Sequence, residues 1–355
     1  MARALPVRLP FTLLFKCMAA SDEGNGMFRL TILALAALVG LSASALADDK
    51  PTLTIYTYDS FASDYGPGPS LKSGFEQTCG CVVDFVATDS SIGALRRVQL
   101  EGGTSKADIV LGLDTSFIGE ARATGLFAPH RLTLAGLALP SAWTDPDFVP
   151  VDFGYFAFVY DKTKVASPPS SFEALIAEPP SFKIVLEDPR SDTPGLGLVL
   201  WIKAAYGDRA AEIWKGLKPH IVTMAQSWDD AYNGIFLKGE ADMVLSYTTS
   251  PAYHAIAENN PDYAFAAFAE GFYPQIEIAG ILKSALQQDL AKRFLAWLVT
   301  PEAQNVIPET NWMYPVTGAA PEGFPSPPAK VLSLDPAAVT ANKQVWIDEA
   351  LAAIR

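Results

Sequence analysis

Aromatic residues stand at predicted strand ends and in loops, where the walls of a binding cleft would form. They are Tyr58, Tyr65, Trp228, Tyr247, Tyr253 and Trp312. An aromatic face attracts flat rings and cations, at about 0.5–2 kcal/mol for each contact. The carboxylates beside the same loops would add to a preference for positive charge; they are Asp59, Asp64, Asp89 and Asp114. A lone aromatic residue is more often simple packing, but this recurrence predicts a site for a flat cation.

Two serine- and threonine-containing segments would begin helices beside that cleft. Ser90 and Ser91 stand where an N-cap belongs, before the helical pattern at 92–100. The segment 191–195 (SDTPG) opens another helix, with Pro194 at the first helical position and a capping residue before it. Free N–H groups at such a start can bind a phosphate or a hydroxyl. The alternative is a well-capped helix, because the Asp192 carboxylate can occupy those donors itself.

No constellation of catalytic residues is present in the sequence. It has no G-x-S-x-G, Walker or H-E-x-x-H motif, and its three histidines are scattered without zinc spacing. We therefore expect a protein that is not an enzyme, without catalytic residues, metal or cofactor. Cys79 and Cys81 form a Cys-Gly-Cys segment that predicts a local disulfide or two buried thiols, with a redox site or nucleophile as a further alternative.

The elements that must position these residues alternate along the chain. Strand patterns occur at 51–58, 82–87, 108–113, 155–160, 184–187, 243–247 and 276–282. Helix patterns occur at 70–78, 92–100, 195–206, 210–217, 229–238 and 285–299, and a Gly/Pro loop occupies 65–69. This order predicts an α/β fold with mostly parallel sheets covered by helices. Ligands of such sheets bind outside the carboxyl ends of the strands.

One internal similarity suggests two related halves. Segments 106–116 (KADIVLGLDTS) and 240–250 (EADMVLSYTTS) share six of eleven residues. If the halves are two like lobes, the loops 114–116 and 247–250 would both reach a shared cleft. Chance similarity between two buried strands is the alternative.

The amino-terminal residues read as a targeting segment. Residues 27–47 have a short basic start, an apolar run and a small-residue end at Ala45 and Ala47, which predicts a signal peptide cleaved after Ala47. Residues 1–26 would then be an over-extended start. An uncleaved anchor is the alternative, because residues 30–47 are long enough to span a bilayer. We expect no membrane insertion after processing, because no second long apolar run follows.

The charge balance limits the partners of the chain. The 355 residues carry 26 basic and 39 acidic side chains, a balance of −13. Residues 1–47 hold four of the basic and two of the acidic ones, so the processed chain has 22 against 37, or −15. An acidic surface argues against nucleic acid and anionic membranes as partners.

Several blocks of the sequence are characteristic of one family. They are 54–61 (TIYTYDSF), 66–69 (GPGP), 106–114 (KADIVLGLD), 152–161 (DFGYFAFVYD), 188–190 (DPR) with 193–197 (TPGLG), 245–254 (LSYTTSPAYH) and 311–316 (NWMYPV). Together these blocks resemble the thiamine-binding periplasmic proteins of bacterial ABC importers. The resemblance implies a two-lobed type II periplasmic binding protein, each lobe a mostly parallel sheet flanked by helices, with two crossover strands near 149–155 and 271–277. Lobe 1 would comprise 48–150 and 272–355 with the C-terminal helices, and lobe 2 would comprise 151–271.

The same resemblance implies roles for individual residues. Tyr58 and Tyr253 would sandwich the aminopyrimidine ring of thiamine, Trp228 would cover the thiazolium, and Tyr65 and Trp312 would line the pocket more loosely. The remaining contacts to thiamine or its phosphates would be Ser90, Ser91, Asp192, Thr193, Tyr247, Thr248, Thr249 and Ser250. The family usually has an acidic residue and glycine in place of the two serines at 90–91, and a serine at position 192. The carboxylate there weakens the expectation that phosphorylated forms bind.

The function implied is a monomeric periplasmic carrier of thiamine, with thiamine phosphates as further ligands, that delivers its cargo to an inner-membrane ABC permease and its ATPase. One alternative is a ferric-ion or polyamine carrier of the same fold. Ferric carriers of this fold usually present adjacent tyrosines, whereas Tyr247 and Tyr253 are six positions apart. The other alternative is a thiaminase-like enzyme with a cysteine nucleophile, but no base is evident beside Cys79 or Cys81.

Overall fold

Strands and helices alternate along residues 50–355, the part of the chain that the computed structural model describes. The predicted signal peptide and the segment before it lie outside the described residues. The strands are β1 (Thr52–Tyr58), β2 (Val82–Thr88), β3 (Ile109–Asp114), β4 (Phe127–Ala128), β5 (Phe148–Asp161), β6 (Ile184–Glu187), β7 (Ile221–Ala225), β8 (Met243–Tyr247), β9 (Tyr263–Phe265), β10 (Pro274–Leu282) and β11 (Tyr314–Pro315).

Most of the helices lie between strands in the order of the chain. The helices are α1 (Asp59–Ala62), α2 (Gly68–Cys79), α3 (Ser91–Glu101), α4 (Ile118–Ala123), α5 (Phe172–Ala177), α6 (Thr193–Tyr206), α7 (Ala210–Leu217), α8 (Ser250–Ala257), α9 (Gln288–Leu298), α10 (Pro301–Gln304), α11 (Ile307–Thr310) and α12 (Pro336–Ile354). The helix predicted at 229–238 is a π-helix, Asp230–Phe236. Among the described residues, no helix is long and apolar enough to cross a membrane.

The sheet has the strand order β2-β1-β3-β10-β5-β8-β6-β7, with β4, β9 and β11 paired outside this path. The strands toward its two ends pair in parallel, β1 with β2 and β3, and β6 with β7 and β8. The long central strands β5 and β10 run antiparallel to their neighbours. The predicted α/β class is thereby confirmed, because helices connect parallel strands on both sides of the central pair.

Strand β5 is much longer than the six residues predicted at 155–160. Its 14 residues are buried from Phe148 to Val159. The first half pairs with β10 and β11, and the second half pairs with β8 and β9. One continuous strand therefore joins the two outer parts of the sheet, and the crossing predicted near 149–155 falls within it. The boundaries of the two lobes remain a prediction.

Two large apolar clusters form most of the core. Phe61, Phe75 and Phe294 belong to the cluster around β1, α2 and α9. Trp201 and Phe172 belong to a second cluster, in which their rings meet edge to face at 4.9 Å. This second cluster also contains Tyr56 of β1 and Leu95 of α3, so it extends along the sheet and links its two ends.

The C-terminal helix α12 lies across more than one part of the fold. It packs against α6 and α7. Lys343 of α12 also forms an ion pair with Glu120 of α4, at 2.8 Å. Helix α12 therefore contacts helices that precede β5 in the chain and helices that follow it. The assignment of residues 272–355 to lobe 1 remains a prediction.

The two cysteines of the Cys-Gly-Cys segment are joined to each other. Cys79 ends α2 and Cys81 immediately precedes β2, and the structure has a disulfide between them. Of the alternatives left open by the sequence, the local disulfide is confirmed. Such a short loop removes little chain entropy, so the bond serves mainly to fix the α2–β2 turn.

Candidate ligand-binding site

A cavity of about 280 Å³ lies where β1, β2, β6, β7 and β8 end. Eleven of the thirteen predicted site residues line it: Tyr58, Tyr65, Ser90, Ser91, Asp192, Thr193, Trp228, Tyr247, Ser250, Tyr253 and Trp312. Thr248 and Thr249 are buried but do not line it, so their contact with a ligand remains a prediction without geometric support. The cavity is close in size to the smaller organic-ligand pockets of proteins.

Tyr58 forms one aromatic wall at the end of β1. Its hydroxyl donates to Oε2 of Glu277 at 3.1 Å, and its ring meets Phe61 edge to face. The ring fits because residue 112 is a glycine: a Cβ there would lie 2.5 Å from Tyr58 Cδ1, and its φ of +107° also favours glycine. Burial, followed by the charge of Glu277, raises the pKa of Tyr58 well above its usual value. The Tyr58 phenol is therefore uncharged, and its ring forms an aromatic wall of the cavity.

Trp228 forms a second wall, on the loop after β7. Its ring stacks on Tyr232 at 4.9 Å and 20°, and its Nε1 donates to Oγ of Ser246 at 2.8 Å. The Ser246 hydroxyl is in turn hydrogen-bonded to the Ser250 hydroxyl, with the two oxygens 2.7 Å apart. Because both its face and its edge are held, the indole is oriented without a ligand.

Tyr253 and Trp312 meet edge to face at 5.4 Å and complete the aromatic lining. Trp312 has a φ of +56°, which is unusual for a bulky residue. Its backbone N–H donates to the Ile307 carbonyl and so closes the end of α11, which explains the left-handed conformation. The helix end therefore fixes the direction in which Trp312 enters the cavity.

His254 supports two of these walls from behind. Its ring contacts Tyr253 at 4.9 Å, its Nε2 lies 2.9 Å from the hydroxyl of Tyr232, and its Nδ1 lies 2.6 Å from Glu258. The sequence showed it only as one of three scattered histidines. The one feature of the sequence that could have indicated this supporting role is that His254 directly follows Tyr253 on the same helix.

Two hydrogen bonds connect opposite sides of the cavity. The Tyr65 hydroxyl donates to Oδ1 of Asp229 at 2.8 Å, and the hydroxyls of Ser91 and Thr193 lie 2.5 Å apart. The first bond joins the loop before α2 to the residue preceding the π-helix, and the second joins the starts of α3 and α6. Tyr65 is 57% exposed, so its bond lies at the mouth of the cavity.

The cavity is acidic. Asp59, Asp89, Asp192 and Glu277 line it, and no Lys, Arg or His is among its described lining residues. Asp59 and Asp89 line the cavity, as predicted for carboxylates that add negative charge to it. Asp64 and Asp114 do not line the cavity.

The prediction that loop 114–116 reaches the cleft is wrong. Asp114 is buried, and its Oδ1 accepts a hydrogen bond from the Ser116 N–H at 2.7 Å, which closes the turn after β3. Gly112 lines the cavity in its place. The matching loop 247–250 reaches the cavity through Tyr247 and Ser250.

Glu277 was not predicted as a site residue. It lies opposite Asp152 in the β5–β10 pair, and each carboxyl has one buried oxygen without a partner. Burial raises the pKa of Asp152 to about 7, and burial, followed by the charge of Asp152, raises the pKa of Glu277 well above its usual value. Asn311 donates to Oδ2 of Asp152 at 2.7 Å. Two close carboxyls with unmet acceptor capacity favour a cation or N–H donor nearby.

Asp192 stands immediately before α6, which begins at Thr193, one residue earlier than the predicted start at Pro194. Its side chain makes no hydrogen bond that caps this helix, and its Oδ2 is buried without a partner. Of the two alternatives that the sequence left open, a helix capped by this carboxylate therefore has no capping hydrogen bond to support it. Burial raises the pKa of Asp192 to about 7, and the carboxylates of Asp59 and Asp230 add to this. Ser90, in contrast, caps α3 as predicted, by accepting from the Gly93 N–H.

Further lining residues were outside the predicted set. Besides those named above they are Ser60, Pro194, Ser227, Asn233, Thr310 and Met313. Most are direct neighbours of predicted residues, which was the only sequence signal for them. In the described part of the chain, no three His, Cys, Asp or Glu side chains are placed to hold a metal ion.

Comparisons with known proteins identify relatives of this chain. The sequence profile of the bacterial extracellular solute-binding proteins matches residues 54–305. The chain is 47% identical over 312 residues to the thiamine-binding periplasmic protein of Salmonella typhimurium, covering 87% of this chain and 95% of that one. It is 48% identical over 303 residues to the protein of that name from Escherichia coli, covering 84% and 92%. A solved structure of a periplasmic thiamin binding protein superimposes with a TM-score of 0.84 at 47% identity, covering 86% and 97%.

Proposed function

This chain belongs to the bacterial extracellular solute-binding proteins, within the group of thiamine-binding periplasmic proteins, and we propose that it captures thiamine in the cavity described above. It is a substrate-binding protein for thiamine import. The observation that supports thiamine as cargo is the composition of the cavity: aromatic walls and four carboxyl groups, with no basic side chain among its described lining residues.

The aromatic walls suit the two rings of thiamine. Tyr58 and Tyr253 would sandwich the aminopyrimidine, and Trp228 would cover the thiazolium. The Trp228 ring is already oriented by Tyr232 and Ser246, so its ordering costs little on binding. Tyr65 and Trp312 would close the cavity more loosely, Tyr65 through its bond to Asp229.

The carboxyl groups suit the positive charge of the thiazolium. Glu277 and Asp192 are both buried, and each offers an oxygen without a partner. An unpaired acceptor of this kind costs free energy that a ligand N–H or cation can recover. The unphosphorylated vitamin therefore complements the site in charge as well as in shape.

Delivery requires export and a transporter. We infer that the predicted signal peptide directs the chain to the periplasm, where it acts as a monomer and passes thiamine to an inner-membrane permease driven by an ATPase. Closure around the ligand would select the conformation that the permease accepts.

A carrier is favoured over a thiaminase by the position of the cysteines. Cys79 and Cys81 are bonded to each other and do not line the cavity. A nucleophilic thiol would have to be free and close to the ligand. The described cavity residues therefore favour binding of thiamine without its chemical conversion.

The proposal is tested by titration calorimetry with thiamine, spermidine and ferric citrate. We expect thiamine alone to bind tightly, and Glu277→Gln to weaken it by about 1–3 kcal/mol, because an amide NH2 group that cannot accept a hydrogen bond replaces one buried carboxyl oxygen. Glu322→Gln is the matched control, since Glu322 is exposed and outside the cavity. Tight binding of spermidine or ferric citrate without thiamine would refute the proposal.

A further inference from the structure

The starts of two helices meet at one side of the cavity. Ser91 is the first residue of α3 and Thr193 the first of α6, and their hydroxyl oxygens lie 2.5 Å apart. Both residues are buried and both line the cavity. The amino ends of helices carry partial positive charge, so two of them together form a place where a phosphate could be held.

A carboxyl group already stands at that place. Asp192 directly precedes Thr193, is only 6% exposed, and has its Oδ2 buried without a hydrogen-bond partner. Glu187, at the end of β6, is fully buried and has both carboxyl oxygens without a partner. The two groups interact, because the charge of Asp192 contributes to the raised pKa of Glu187.

The ionisable groups that surround Asp192 come from several elements, and all of them are acids. Glu187 comes from β6, Asp59 from α1, Asp230 from the π-helix and the Tyr247 phenol from β8. No Lys, Arg or His is among the described lining residues of the cavity. A phosphate here would therefore meet one carboxylate at close range and others behind it, without a cation to balance them.

We propose that Asp192 makes this chain selective for unphosphorylated thiamine over thiamine monophosphate and diphosphate, by presenting a carboxylate where the two helix starts would otherwise hold a phosphate group. This selectivity rests on the proposed function, because it concerns which form of thiamine the cavity accepts. Thiamine presents a hydroxyl where its esters present phosphate, and a hydroxyl can donate to the free Oδ2. The esters bring negative charge to the same point.

The test compares binding of thiamine and its two phosphate esters to the wild type and to Asp192→Ser, by calorimetry at pH 8. Serine is as good an N-cap as aspartate, so α6 keeps its start, and Asp192→Asn provides a second, nearly isosteric variant. We expect the wild type to bind thiamine at least about tenfold more tightly than the diphosphate, as a close like-charge contact implies. Both variants should reduce that ratio by about tenfold, mainly through tighter binding of the diphosphate.

Glu277→Gln is the matched control, because Glu277 lines the same cavity from β10. It should weaken thiamine binding while changing the ratio much less than the substitutions at position 192. Equal affinity of the wild type for thiamine and diphosphate, or an unchanged ratio in both Asp192 variants, would overturn the selectivity but leave thiamine binding intact. Absence of thiamine binding would instead refute the proposed function.

Discussion

Removal of the Trp228 ring tests how much of the binding free energy comes from the aromatic walls. The indole stacks on Tyr232 at 4.9 Å and is bonded to Ser246 at 2.8 Å, so it presents a fixed face to the cavity. Trp228→Ala removes this face and leaves Tyr232 uncovered. A cation over an indole contributes about 0.5–2 kcal/mol, and lost apolar contact adds to this. We expect binding of thiamine to weaken by about 1–3 kcal/mol, or roughly 5- to 150-fold.

The measurement is calorimetry, supported by the quenching of tryptophan fluorescence on addition of thiamine. Trp228→Phe should be intermediate, because it keeps a stacking face but loses the bond to Ser246. Trp346→Phe, on α12 and outside the cavity, is the matched control and should bind and quench as the wild type does. An unchanged affinity in a folded Trp228→Ala protein would remove Trp228 from the site and refute this reasoning.

Three further predictions address the mouth of the cavity, its charge and its lack of turnover. Tyr65→Phe loses the bond to Asp229 at the mouth, so stopped-flow measurement should show thiamine leaving about three- to tenfold faster, and an unchanged rate would contradict this. Because the pKa of Asp192 is about 7 and a bound cation favours the carboxylate, thiamine affinity should rise as the pH rises from 6 to 8, with proton release visible as a buffer-dependent enthalpy; pH-independent binding would count against it. The double substitution Cys79→Ser and Cys81→Ser should leave affinity unchanged, and chromatography should find thiamine intact with either protein; turnover that disappears with the cysteines would establish an enzyme instead.

Six of the strands (β1, β2, β3, β6, β8 and β10) and five of the twelve α-helices in the described residues could be predicted, because the periodicity of their apolar residues was regular. The longest helix, α12, and strand β7 were not predicted, and β5 was predicted only from residue 155 although it begins at Phe148. Pro150, Asp152 and Gly154 interrupt the pattern in its first half. The structure accommodates Pro150 at an irregularity in the pairing with β10, where a missing N–H is tolerated. Tertiary pairing of this kind leaves no local signal in the sequence.

The site was predicted best where its side chains come directly after the ends of strands. Residues such as Trp228 and Tyr247 could be located because the carboxyl ends of strands gather at one edge of the sheet. Glu277 was missed because its role depends on pairing with Asp152, which is 125 positions away in the sequence. Asp114 was wrongly assigned because its carboxylate closes its own turn, a local use that the aspartate alone cannot reveal.

The most direct test of thiamine capture is a crystal structure of the processed protein with thiamine. We predict density for both rings inside the cavity, the aminopyrimidine between Tyr58 and Tyr253 and the thiazolium against Trp228, with the hydroxyethyl group directed toward Asp192. Thiamine bound elsewhere on the protein, or a cavity that stays empty in the presence of thiamine at saturating concentration, would contradict the account.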